Sequence, residues 1–292
     1  MNLGRWWLVI GAFAATVTGL VVWASGSDDV VDEGNGLWSI TGLALAVAGL
    51  IATVVLGLRA ASRTRSARDS EQALEDLARL VTERWEREAD PLDVRWASTL
   101  RPVAPDPADV VGGAVAGRPI RLKLRGEVGD LADALRALPG HQLVVLGEPG
   151  SGKTSAATAL TLALLGRREP GDLVPVLFPL ASWDPGRQDL DAWMARRMAV
   201  DHPVFRARGV HGPDVARHLV ERGLVLPVLD GLDEVALRVD AVRGIVRAVG
   251  RHRPMVLTCR ADDYEEIIRE TGAPVGRAAV VELKPIAGAL SR

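Results

Sequence analysis

The chain has 292 residues, enough for one domain of ordinary size with appendages, and its formal net charge of −2 gives no electrostatic case for a nucleic-acid partner. A single cysteine, Cys259, excludes a disulfide framework or a cysteine-based zinc site within one chain, and the five histidines show no ligand spacing. Only three of the 35 basic residues are lysines, Lys123, Lys153 and Lys284, so each one is conspicuous.

Two apolar runs come first. Residues 6–24, WWLVIGAFAATVTGLVVWA, carry no charge over 19 positions, and residues 37–58, LWSITGLALAVAGLIATVVLGL, carry none over 22. Each is long enough to cross a hydrocarbon core of about 30 Å as a helix. Trp6, Trp7, Trp23 and Trp38 stand at the ends of these runs, where indoles favour the headgroup region. The linker 25–36 has four acids and no base, whereas Arg59, Arg63, Arg65 and Arg68 follow the second run. This pattern predicts a transmembrane hairpin over residues 1–62 of a multi-pass plasma-membrane protein, with everything beyond it cytoplasmic. A signal peptide cleaved near Ala24 is the alternative, and it leaves a single span. Small residues at every fourth position, Gly11, Ala15 and Gly19 and then Ala44, Ala48 and Ala52, permit close helix packing. The arginine cluster also suits contact with anionic membrane lipid.

Residues 69–90 read as an amphipathic helix with Leu74, Leu77, Val81 and Trp85 on one face. That face serves either a short coiled coil or packing on the following domain. Pro91, Pro102, Pro105 and Pro107 end the helix and mark a linker, so 63–110 form a juxtamembrane helix and Pro-rich connection. Residues 118–125, RPIRLKLR, alternate like an exposed strand and 127–138 like a short helix, making 111–140 a prelude to the main domain.

From 141 to 292 apolar runs alternate with helical segments: LVVLG (143–147), VPVLFPLA (174–181), LVLPVLDG (224–231), PMVLTCR (254–260) and AVVELKP (279–285). Continuous apolar strands separated by helices predict an α/β domain, a five-stranded and mainly parallel sheet covered by helices on both faces. Pro227 sits awkwardly in a central strand.

The first of these runs breaks into Gly147-Glu148-Pro149-Gly150-Ser151-Gly152-Lys153-Thr154, a complete G-x-x-x-x-G-K-[ST] pattern, followed by Ser155. Glycines let backbone N–H groups wrap a phosphate, and the helix that follows aims the positive end of its dipole at the anion. Lys153 offers a compact charge to the β- and γ-phosphates, and Thr154 a hydroxyl to Mg²⁺. The expected ligand is ATP or GTP with Mg²⁺. Further on, Val225–Asp230 form an apolar strand ending in an acid placed to hold Mg²⁺ through water. Asp233 and Glu234 follow within one turn, and one of them can polarise a water for attack on the γ-phosphate. The strand 255–260 ends in Thr258, Cys259 and Arg260, where a threonine and an arginine can report whether the γ-phosphate is present.

These elements in this order resemble the NACHT family of signal-transducing P-loop ATPases. LPVLDGLDE and VLTCR carry the resemblance, and GDLVPVLFPLASWDP (171–185) with DPLDVRW (90–96) is similar to membrane-anchored actinobacterial members. The likeness spans roughly 90–285. It implies an ATP- or GTP-dependent switch in which nucleotide exchange turns a closed monomer into a homo-oligomer, with bacterial members associated with defence against phage. By position it makes Lys153 and Thr154 the phosphate and Mg²⁺ ligands, Asp230 the metal carboxylate, Asp233 and Glu234 the hydrolytic acids, and Arg260 the sensor. The family continues past the fifth strand into a helical lid and a winged helix, whereas this chain stops at Arg292, so an incomplete P-loop domain is expected. Slow hydrolysis of ATP is the expected activity. A nucleotide-binding scaffold without turnover and an ATPase subunit of a transport complex are the alternatives. An LSGGQ-like signature and an N-K-x-D guanine-reading motif are both absent from the sequence.

Overall fold

The computed structural model describes residues 36–89, 94–105, 110, 125–250 and 252–284. The first apolar run, most of the acidic linker, residues 118–124 of the expected exposed strand, and Pro91 and Pro107 lie outside the described residues. Contacts divide the chain into two units, Met1–Arg65 and Ser66–Arg292.

Helix α1 spans Gly36–Glu88, 53 residues. The boundary expected at residue 58 has no structural counterpart, because the helix runs unbroken through Arg59, Arg63, Arg65 and Arg68. Among the described residues no helix is long and apolar enough to cross a membrane. This overturns the multi-pass plasma-membrane localisation and the second span of the expected hairpin, while the first span lies outside the described residues. The run 37–58 is the first part of one helix that continues into a charged half, and no bounded apolar span is formed.

In the second unit, the charged half of α1 docks through one stripe. Ala73, Leu74, Leu77, Val81 and Trp85 are all buried, at the three- and four-residue spacing that puts side chains on one helix face. They belong to the same core as the sheet, so the stripe serves packing on the domain rather than a coiled coil. Around its edge His211 Nε2 lies 2.9 Å from Asp76, and Arg84 lies 3.7 Å from Asp201.

The α/β architecture expected from residue 141 onward is present, but its sheet has seven strands, not five. In chain order the elements are β1 (Arg95–Ser98), β2 (Arg125–Glu127), α2 (Leu131–Ala137), β3 (Gln142–Leu146), α3 (Lys153–Leu165), β4 (Val174–Pro179), α4 (Leu190–Asp201), α5 (Gly212–Glu221), β5 (Val225–Asp230), α6 (Arg238–Val249), β6 (Met255–Cys259), α7 (Ala261–Thr271) and β7 (Ala279–Leu283). The sheet order is β2-β1-β7-β3-β6-β5-β4. The five strands from β7 to β4 are parallel and coincide with the five apolar runs. The two additional strands join antiparallel at the β7 edge, which makes the sheet mixed. Trp96 fixes this addition: its side chain is buried and its Nε1 donates to the Glu127 carbonyl at 2.8 Å.

Burial explains why the parallel strands read as unbroken apolar runs. Every residue of β3, β5 and β6 is buried, as strands covered on both faces must be. The prolines are accommodated by position. Pro175 and Pro179 lie on the edge strand β4, and the β5–β6 ladder begins only at Val228, one residue past Pro227. Since β6 lies between β3 and β5, the turns that follow these three strands open side by side at one edge of the sheet.

Candidate functional site

The loop between β3 and α3 contains Gly147, Glu148, Pro149, Gly150, Ser151 and Gly152. Gly150 and Gly152 have φ of 75° and 84°, a left-handed conformation that disfavours any residue with a Cβ. At Gly147 the constraint is space instead: a Cβ would stand 2.3 Å from Ser151 Oγ and 3.3 Å from Lys153 Cγ. The Gly147 N–H donates to the Cys259 carbonyl at 3.2 Å, tying the loop to the end of β6.

Helix α3 starts at Lys153 with no side-chain cap and no acid in its first turn. Its first backbone bond runs from Ala156 N to the Gly152 carbonyl, so the N–H groups of Lys153, Thr154 and Ser155 precede the helical ladder. The Lys153 ammonium folds back over the loop and donates to the carbonyls of Gly147 at 3.0 Å and Glu148 at 3.2 Å. Ser151 is buried, and its hydroxyl has no hydrogen-bond partner among the described residues.

Asp230, at the end of β5, is only 7% exposed. Its Oδ2 accepts the Thr154 hydroxyl at 2.8 Å and its Oδ1 accepts the Thr258 hydroxyl at 2.5 Å. Thr258 Oγ1 in turn accepts the Gly231 N–H at 2.9 Å. The first turn of α3 and the ends of β5 and β6 are thereby joined in one hydrogen-bonded row across residues 154, 230 and 258. Donating its proton to Asp230 leaves the Thr154 oxygen with free lone pairs.

The sequence places Asp233 and Glu234 together, and the structure separates their surroundings. Asp233, its side chain 6% exposed, accepts the Arg260 backbone N–H at 3.0 Å and the Arg260 Nε at 2.8 Å. Both oxygens are thus engaged by Arg260, whose own side chain is half exposed. Glu234 is exposed, folds towards Gly231 and has no ion pair or side-chain hydrogen bond among the described residues. Cys259 is fully buried, and burial pushes its thiol up, which disfavours the reactive thiolate.

One residue of this region carried no signal in the sequence. Arg101, in the turn that follows β1, reaches Glu148 of the loop, Asp262 and Glu265 of α7, and Glu282 of β7. Its side-chain hydrogen-bond partners lie 47 to 164 residues away, so no local pattern could reveal it.

Among the described residues no group of three or more His, Cys, Asp or Glu side chains is placed to hold a metal by itself. Thr154 and Asp230 form a two-group site of the kind that Mg²⁺ completes with water and phosphate oxygens. Elsewhere, a groove of about 690 Å³ lies between the segment 183–191 and α6. Two of its arginines pair locally, Arg187 with Asp184 at 3.3 Å and Arg243 with Asp240 at 3.5 Å.

Compared with protein-family models the chain matches none, and a search of curated proteins gives no match either.

Proposed function

We propose that this chain is a P-loop nucleotide-binding protein of the NACHT kind, which binds ATP or GTP with Mg²⁺ and hydrolyses it slowly as part of a signalling switch. The observation that carries the reading is the 2.8 Å bond from the Thr154 hydroxyl to Asp230. It joins the first turn of α3 to the acid that ends β5, beside a loop whose glycines hold two left-handed positions. A strand-end carboxylate orienting the hydroxyl next to a phosphate loop is the arrangement that a Mg–polyphosphate requires.

Each group then has a task. The N–H groups at the start of α3 and the Lys153 ammonium would bind phosphate oxygens, with Lys153 exchanging its two loop carbonyls for them. Thr154 and Asp230 would hold Mg²⁺, which when bound neutralises phosphate charge. Glu234 is the acid best placed to orient water, because Asp233 is occupied by Arg260. Arg260 would sense the γ-phosphate once released from Asp233, and nucleotide-dependent self-association is the output that the resemblance implies.

Calorimetry of the whole chain with Mg-ATP and Mg-ADP, using Lys153→Ala as control, tests this. Binding that the variant abolishes is expected. A folded chain that binds neither nucleotide would overturn the reading. Nucleotide binding without turnover is the second reading, favoured by the Asp233–Arg260 pair, which removes one of the two acids from reach of a water. Turnover by the wild type that disappears in Glu234→Gln would exclude it.

A further inference from the structure

Arg101 stands outside every motif in the chain, yet four carboxylates converge on it. Its Nη1 lies 2.7 Å from Asp262 and 3.1 Å from Glu265, its Nη2 3.4 Å from Glu148, and its Nε 3.7 Å from Glu282. Only Glu265 has a second cation among the described residues, Arg269 at 3.6 Å. The Arg101 side chain is 27% exposed, whereas Asp262 is 80% and Glu148 50% exposed, so the pairs face water in part and should respond to salt. Its backbone is held as well: Arg101 N donates to Thr99 Oγ1 at 3.2 Å, and that hydroxyl donates to Glu282 at 3.3 Å.

Glu148 connects this cluster to the phosphate loop. Its carbonyl accepts the Lys153 ammonium, and its carboxylate is engaged by Arg101. An unheld Glu148 carboxylate would compete with a phosphate for the same lysine. Asp262 and Glu265 lie in the first turns of α7, immediately after Arg260. Arg101 therefore touches both the loop before α3 and the helix that follows the arginine expected to sense the γ-phosphate.

We infer that Arg101 is a positioning residue for the phosphate loop: it holds the Glu148 side chain away from Lys153 and offsets part of the negative field of Glu148, Asp262, Glu265 and Glu282 that opposes a polyphosphate. This role rests on the nucleotide-binding reading and adds to it a residue from the segment before the P-loop domain. It acts through charge, which separates it from a merely structural arginine. Lysine keeps the charge but not the forked donors, so it should restore part of the binding; glutamine should restore none, and removing Asp262 and Glu265 should offset part of the loss.

The test is calorimetry of Mg-ATP and Mg-ADP on the whole chain at low and high salt, for wild type, R101Q, R101K and R101Q/D262N/E265Q. R101Q is expected to weaken Mg-ATP by about tenfold at low salt, with a smaller loss for Mg-ADP and a smaller loss at high salt. R101K and the triple variant should each recover part of that loss, by at least about threefold. Wild type that binds while R101Q binds equally well overturns the inference, and so does a loss in R101Q of which the triple variant recovers nothing. Should R101Q not fold, D262N/E265Q with Arg101 intact decides: tighter Mg-ATP binding than wild type is required, and unchanged affinity overturns the role. A folded wild type with no binding would instead overturn the nucleotide reading on which the inference stands.

Discussion

Asp233 and Glu234 are neighbours in one short turn, yet their surroundings differ. Asp233 is nearly buried and accepts two hydrogen bonds from Arg260, one of them charge-assisted. Replacing it with alanine leaves the Arg260 N–H without its partner and frees the guanidinium. Since that guanidinium is half exposed, the pair is worth less than a fully buried one, and Asp233→Ala is expected to cost about 1 kcal/mol in urea denaturation. Glu234→Gln removes no contact, so its stability should stay within about 0.5 kcal/mol of wild type while nucleotide turnover is lost. Equal destabilisation by the two variants would show that the turn does not distinguish its acids. Gly147 gives a third residue-scale prediction. A methyl group there collides with Ser151 Oγ and crowds Lys153 Cγ, so Gly147→Ala should displace the lysine and weaken Mg-ATP binding by at least about tenfold. Circular dichroism should remain that of the wild type, and unchanged affinity would count against this placement of Lys153.

Among the elements, the docked half of α1 is the one whose sequence pattern and structure agree most directly. Leu74, Leu77, Val81 and Trp85 form a stripe at helical spacing, and burial confirms the face they define. Leu77 is fully buried, so Leu77→Ala should destabilise the fold by about 2–5 kcal/mol, read from the denaturant midpoint by tryptophan fluorescence. A change below about 0.5 kcal/mol, the range of a surface substitution, would mean that this half of α1 does not pack on the domain. The five parallel strands were legible for a related reason: strands covered on both faces need apolar residues at every position. β1 and β2 were not, since strands of four and three residues show no periodicity and β1 pairs with β7 from the far end of the chain. The run 37–58 shows the opposite failure. Apolar length, end tryptophans and the arginines beyond it suggested a bounded span, whereas the helix carries on through four arginines. The loop 147–154 was legible because consecutive backbone geometry demands its glycines, and Arg101 was not because only the folded sheet brings its partners together.

At the scale of the whole molecule, proton linkage measures how firmly α1, α4 and the segment beyond α4 close over one another. His202 follows directly after α4, is 5% exposed, and has its pKa lowered from 6.5 to about 4. Burial is the main cause; Asp201 opposes it, and Arg84 of α1 adds to it. The unfolded chain therefore binds a proton near pH 6.5 that the folded chain resists down to about pH 4. Stability is full above pH 6.5 and declines as the pH falls towards 4, by about 3 kcal/mol for a shift of this size. A second loss belongs to Asp76, whose pKa is lowered first by the His211 hydrogen bond and then by Arg79. Its contribution is present above pH 3.8 and disappears as the pH drops further, so the two losses fall in adjacent windows. His202→Leu removes the upper window and leaves the lower one. The denaturant midpoint of the variant should be flat from pH 6.5 to 4 while that of the wild type declines, and both should fall below pH 3.8. A wild-type midpoint that is already flat across the upper window would show that His202 is protonated in the folded chain, and that the junction of α1 and α4 is open to water.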